Sequence, residues 1–183
     1  MNDHPERHHR RSIRLRGFDY SQPGAYFVTV VTQERACLFG EVARGEIRLN
    51  EYGEIVRAYW NDLPRHYPNV GLDAFCVMPN HVHGIIVLVR AGFKPAPTGH
   101  ALTEIIRAFK TFSARRINAI RKRQRVALWQ RNYYEHIIRD GDSLDRIRNY
   151  IAENPLRWDS DRENPLAVSA DTAPPRRDEP WRV

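Results

Sequence analysis

His81 and His83 stand one residue apart in FCVMPNHVHGIIVLV, residues 75–89, a run that is otherwise almost wholly apolar. Side chains alternate along a strand, so both imidazoles would leave one face while Val82 and Gly84 leave the other. Their Cα atoms would lie roughly 7 Å apart at the usual strand rise, which suits a two-point grip on one divalent ion. The alternative is a pair of half-buried polar residues at a strand end. Three features favour the grip: a tight turn precedes the pair, the flanking strand is apolar, and a terminal helix could cover the face they share. A second pair, Tyr150 and Asn154 in RNYIAENP, is spaced as neighbours on one side of a helix. It flanks the stripe of Leu144, Ile147 and Ile151, so a phenol and a carboxamide would face the sheet together. Spacing alone equally allows a core aromatic and a plain helix end.

The elements that would position these groups follow from period and punctuation. AYFVTVVT, residues 25–32, is rich in aromatic and β-branched side chains and predicts a buried strand. LFGEVARGEIRLN predicts a hairpin on the sheet's margin, turning near Arg44 and Gly45. Tyr52, Ile55, Val56, Tyr59, Trp60 and Leu63 keep a helical period, with Asn50 as N-cap and Pro64 past the stop. Residues 72–78 and 81–89 predict an antiparallel pair turned at Pro79 and Asn80, and AGFKPAPTGH a surface loop. Leu102, Ile105, Ile106, Phe109, Phe112, Ile117 and Ile120 mark a long amphipathic helix on whose apolar stripe Arg116 sits awkwardly. YYEHIIR, residues 133–139, predicts a strand, and a last helix capped by Asp142 or Ser143 runs to Pro155. The β-α-β-β-α-β string is the ferredoxin-like arrangement, an α+β fold with an antiparallel sheet covered by two helices. The extra C-terminal helix carrying the tyrosine needs a separate reason to exist. Three segments result: a basic arm over residues 1–24, a domain over 25–157 and a tail over 158–183.

Composition narrows the partners. The chain has 183 residues, with 29 Lys and Arg against 22 Asp and Glu, a formal charge of +7. That length fits one main domain with a real core, and the excess of positive charge favours polyanions. Cys37 and Cys76 lack the spacing of a zinc ribbon or a disulfide framework. Without a membrane-length apolar stretch or a hydrophobic leader core, a cytoplasmic, nucleoid-associated protein with no membrane partner is expected.

MPNHVHGIIVL together with NYIAENPLRW resembles the single-tyrosine HUH transposases, and RLRGFDYSQPGAYFVT and WQRNYYEHIIR are similar to their REP-associated tyrosine branch. The likeness covers roughly residues 12–158. It implies a ferredoxin-like fold in which His81, His83 and Asn154 hold Mg2+ or Mn2+ and Tyr150 is the nucleophile on single-stranded DNA. Many insertion-sequence relatives carry glutamine where this chain has Asn154; asparagine fits the REP-associated branch. It further implies palindromic repeat hairpins as substrate, a 5′-phosphotyrosine intermediate, and a monomer or homodimer. The chemistry suits the residues: a phenol, with an unperturbed pKa of about 10, attacks a phosphodiester only with help, and a cation on neutral imidazoles and an amide oxygen can supply it.

Other residues have parts to play or to be denied. Arg107 and Lys110 on the long helix, Arg121, Lys122 and Arg123 in RKRQR, and Arg14 and Arg16 in the arm are the expected DNA contacts. His136 is the candidate to support the metal ligands from behind. Tyr133 and Tyr134 lack an amide four residues on, Asn164 in the repeated ENPL lacks an upstream tyrosine, and Cys76 in so apolar a strand reads as core. Two rival functions remain, a non-catalytic nucleic-acid binder with an RRM-like fold and a metal-dependent hydrolase in which water attacks. The RNA-recognition signature K/R-G-F/Y-G/A-F-V-x-F/Y is absent.

Overall fold

The structure, a computed structural model, describes residues 19–89 and 100–167. The arm with Arg14 and Arg16, most of the AGFKPAPTGH loop and the chain from residue 168 lie outside the described residues. Six strands and four α-helices follow in order: β1 (Gly24–Val31), β2 (Gly40–Ala43), β3 (Glu46–Leu49), α1 (Glu51–Asn61), α2 (Leu63–His66), β4 (Val70–Val77), β5 (His81–Leu88), α3 (Leu102–Ile120), β6 (Tyr134–Ile138) and α4 (Gly141–Glu153). Four of the strands make one sheet in the order β4-β5-β1-β6, every neighbouring pair antiparallel. Both helical crossovers, β1 to β4 and β5 to β6, skip one strand, which is the expected split arrangement of an α+β ferredoxin-like fold.

Alternation along the strands sorts the core into two. Tyr26, Val28, Val30, Val82, Ile86 and Leu88 pack against Val56, Trp60, Ile105, Ile106 and Phe109 under α1 and α3. Phe27, Ile85 and Ile138 face Ile147 and Ile151 of α4 on the other side. A Cβ on Gly84 would collide with the Trp60 indole, so glycine here makes room for a fully buried tryptophan of the first core. The last helix therefore has a structural reason to exist, for without it the second face of the sheet would be bare.

Several expectations need correction. The β2–β3 hairpin is a separate two-stranded sheet, hydrogen-bonded to itself rather than to the main sheet's margin. Its turn takes left-handed backbone at Arg44 and Gly45, the geometry that tight hairpins demand. Pro64 lies past the stop of α1 at Asn61, as expected, but it also falls in the first turn of the short helix α2, where a missing N–H costs nothing. On α3, Phe112 is 51 % exposed and Ser113 takes the buried position, because the core follows Phe109 by four residues there and not by three. Ser113 is satisfied by donating to the Phe109 carbonyl (2.6 Å) and accepting from Trp129 Nε1 (3.0 Å). Arg116 is exposed, which removes its conflict with the stripe. The cap of α4 is Asp140, whose carboxylate accepts the Ser143 N–H at 2.7 Å, so the helix begins before Asp142. The α-helix does stop just before Pro155, at Glu153, and the chain then runs on as a 3-10 helix over Asn154–Ser160.

Both expected segment boundaries also move outward. Tyr20 is buried and its carbonyl accepts the Leu102 N–H at 3.1 Å, so the fold reaches back before residue 24. Residues 158–167, expected in the tail, fold over the sheet's end, with Asn164 buried and Arg35 paired to Glu163 at 2.8 Å. Lone polar contacts hold this segment where apolar periodicity holds the helices.

Candidate active site

The imidazole pair opens β5 directly after a turn closed by the Met78 N–H donating to the His81 carbonyl (2.8 Å). His81 and His83 are both buried, with ring centroids 4.5 Å apart. Antiparallel register places Thr29 of β1 directly opposite His83, and its hydroxyl lies 2.8 Å from His83 Nδ1. His81 Nδ1 lies 2.8 Å from Asn80 Oδ1. The Asn80 amide has only one orientation that satisfies its surroundings, because the carbonyls of Arg35 (2.9 Å) and Glu163 can only accept and must face Nδ2. Asn80 Oδ1 therefore accepts from His81 Nδ1–H, and His81 Nε2 is left with its lone pair.

That lone pair has no hydrogen-bond partner, and neither does the buried carboxamide oxygen of Asn154. Orphaned acceptors at 0 % and 2 % exposure are costly in a dry interior unless a cation or other donor meets them. Burial drives the His81 imidazole down to about 4, with Glu163 and Asn154 pulling the other way. It holds His83 well below the ordinary value, helped by the neighbouring His81. Both rings are accordingly neutral at pH 7, the state in which imidazole is a ligand. Asp161 completes the cluster, with Oδ2 3.8 Å from His81 Nε2. One donor atom each from His81, His83 and Asp161 lie within 4.8 Å of one another, close enough to hold one metal ion.

Helix α4 brings the phenol to this cluster. Arg148 grips Asp73 on β4 through Nε (2.9 Å) and a terminal nitrogen (2.7 Å), while Ile147 and Ile151 seat the helix on the sheet. Tyr150 then lies over Phe27 and His83, with ring centroids at 6.1 and 5.2 Å, and its hydroxyl is 3.4 Å from His83 Nε2. Asn154 caps the same helix one turn on, and its side chain reaches both His81 and Asp161. The structure thus gathers His81, His83, Tyr150 and Asn154, the four residues singled out by type and spacing.

The remaining candidates separate. Asn164, the rival amide, has its oxygen bonded to the Leu166 N–H (2.9 Å) and its nitrogen to the Trp158 carbonyl (3.0 Å). Burial pushes the Cys76 thiol up to about 11, which suits a core residue and disfavours a thiolate. Tyr134 packs edge-on to Phe27 on the α4 side, and Tyr133 joins the core of the opposite face. His136 lies on β6 opposite Phe27, and burial and Arg139 lower its pKa. Thr29 and Asn80 contact the paired rings from behind. Sequence reasoning missed both, and Asp161 with them: Asn80 read only as turn chemistry, and Thr29 becomes visible only once the strand register is known. Of the expected DNA contacts, Arg107, Lys122 and Arg123 are exposed and Arg121 is half-buried. Lys110 donates to the carbonyls of Gln130 (2.7 Å) and Arg131 (2.9 Å), anchoring the segment before β6. Lys122 and Arg123 line an open cavity of about 650 Å³ with Arg115 and Arg125 at the end of α3.

Residues 25–154 match the family model described as transposase IS200 like, a span that takes in both the imidazole strand and the tyrosine helix. The chain belongs to that family and is a transposase by membership. Its likeness within the family is to the REP-associated tyrosine branch. One relative, proposed to be a REP-associated tyrosine transposase of Haemophilus influenzae (strain ATCC 51907 / DSM 11121 / KW20 / Rd), is 28% identical over 141 residues, 76% of this chain and 74% of its own. An uncharacterized protein of the same strain is 39% identical over 172 residues, 85% of this chain and 93% of its own. The solved structure of a REP-associated tyrosine transposase bound to a REP hairpin shares the fold, with TM-score 0.57 and 22% identity over 79% of this chain and 73% of that one. No helix among the described residues is long and apolar enough to cross a membrane.

Proposed function

We propose that the protein is a single-strand DNA endonuclease and strand transferase that works through a 5′-phosphotyrosine at Tyr150, on palindromic repeat hairpins. The observation that carries this reading is the phenol held 3.4 Å from His83 Nε2 beside a neutral, buried imidazole pair. Orphaned acceptors on His81 and Asn154 fit a divalent cation, Mg2+ or Mn2+, held by His81, His83 and an oxygen donor. When bound, it would supply Lewis-acid polarisation of the scissile phosphate.

The chain's own contribution is positioning. Tyr150 Oη attacks phosphorus and loses its proton, the P–O3′ bond breaks, and the departing 3′ oxygen takes up a proton. No water is consumed, so the protein–DNA ester keeps the bond, and the same or another 3′-hydroxyl can reverse the step and join strands. With one catalytic tyrosine, a second transfer needs Tyr150 again or a second subunit. Exposed Arg107, Lys122 and Arg123, with Arg121 beside them, offer the phosphate contacts, and the hairpin-bound relative supports a hairpin as the partner.

Incubation with a single-stranded hairpin oligonucleotide and Mn2+ tests the reading. A covalent adduct that survives denaturation and disappears in Tyr150→Phe is the expected result. Cleaved ends without an adduct would mean that water attacks, and no cleavage would mean a binding protein.

A further inference from the structure

Residues 158–167 lie across the mouth of the imidazole pair as a strap, fastened on either side of Asp161. Arg35 pairs with Glu163 at 2.8 Å, Asn80 Nδ2 donates to the Glu163 carbonyl, and Asn164 Nδ2 donates to the Trp158 carbonyl at 3.0 Å. The Trp158 ring stands 6.1 Å from that of His81. Between these points Asp161 turns inward, 9 % exposed at its side chain, with Oδ1 accepting the Glu163 N–H (2.7 Å) and Oδ2 3.8 Å from His81 Nε2. Asn80 is the hub of the arrangement, since one side chain both fixes the ring of His81 and ties down the strap that carries Asp161.

A carboxylate is seldom this buried without a cation, and the guanidinium of Arg35, which acts on Asp161 from a distance, is itself paired to Glu163. The surroundings of Asp161 contain instead the unpartnered lone pair of His81 and the unpartnered oxygen of Asn154.

We infer that Asp161 is an additional ligand of the divalent cation, converting a site of neutral donors into a two-histidine, one-carboxylate site. This rests on the metal-dependent reading above and deepens it. A single negative charge among the ligands would raise affinity for hard divalent ions and halve the net charge left at the site, while the strap would couple ion binding to closure over the imidazoles.

Mn2+ binding to the DNA-free protein, followed by electron paramagnetic resonance and by calorimetry, reads this directly. Asp161→Asn removes the charge but keeps an oxygen for the Glu163 N–H, so the strap retains its own bond; Asp161→Ser does the same if the Asn variant is unstable. Weakening of Mn2+ affinity by about tenfold or more, the range seen for loss even of groups behind a ligand, is expected, whereas Glu163→Gln should change it by less than about twofold. Unchanged or tighter binding in the Asp161 variants, with binding abolished in His83→Ala, would overturn the inference and leave the imidazole site standing. An equal loss in Glu163→Gln would also overturn it, by tracing the effect to strap position. If the unaltered protein binds no Mn2+, or His83→Ala binds as well as it does, the metal-dependent reading falls and the inference with it.

Discussion

Replacing Thr29 with valine tests whether the hydroxyl behind His83 sets the state of the ring. The two side chains have nearly the same shape, so Thr29→Val opens no cavity and isolates the 2.8 Å contact to His83 Nδ1. Both partners are buried, at 7% and 3% exposure, so no water can replace the lost oxygen. A buried imidazole nitrogen left facing a methyl group costs about 1–3 kcal/mol. For a domain of this size, a loss of about 2 kcal/mol corresponds to about 4–8 °C in Tm. A second effect follows from tautomerism. Nε2 keeps the lone pair that a cation needs only in the tautomer whose Nδ1–H donates to Thr29, and loss of the hydroxyl removes the support for that tautomer. Mn2+ affinity and the rate of adduct formation should each fall by about 10- to 100-fold. The assays are thermal unfolding of the metal-free protein, Mn2+ titration, and single-turnover adduct formation on a hairpin oligonucleotide. Unaltered Tm and unaltered Mn2+ affinity in Thr29→Val would refute the claim that this hydroxyl orients His83.

Two further outcomes follow from packing and protonation. Gly84→Ala should destabilise the fold by about 1–3 kcal/mol, because its new methyl group meets the Trp60 indole across a filled core; denaturant unfolding would show a lowered midpoint with an unchanged slope. Acid should also weaken the fold: His81 titrates near 6.5 when unfolded and at about 4 when folded, so the unfolded chain binds the extra proton between those values. Stability is then fully present above about pH 6.5 and declines towards about pH 4, by about 3 kcal/mol for this one residue, which unfolding curves across that interval would measure; His81→Gln should flatten the decline.

Period and punctuation were enough to place the main sheet and the helices α1, α3 and α4, because each such element repeats its apolar residues at its own spacing, whereas the single turn of α2 is too short to show a period. The His81–His83 pair was legible for the same reason: alternation alone puts both rings on one face, and the register with β1 agrees. Tyr150 and Asn154 were legible as a helical pair. The choice between Phe112 and Ser113 was not, since residues three and four after Phe109 are both near the stripe and only the position of Trp129 decides which is buried. The strap was invisible for a different reason. It has no periodicity, and polar contacts to residues far away in sequence fasten it, such as Arg35 to Glu163. Composition made that stretch look like a solvated tail, and Asp161 was overlooked with it. The ENPL repeat drew attention to Asn164, but which of the two amides keeps an unbonded oxygen depends on three-dimensional contacts that no spacing rule reveals.

The partition of the sheet into two faces has an evolutionary corollary. Most of the large buried side chains lie beneath α1 and α3, on the side away from the reacting groups, while α4 rests on a small apolar cluster and one clasp between Arg148 and Asp73. Most of the packing is therefore inherited through residues other than those of the candidate site, with Thr29 and His81 bearing on both. Drift beneath α1 and α3 bears chiefly on packing, whereas drift beneath α4 reaches the cluster of His83, Phe27 and Tyr150.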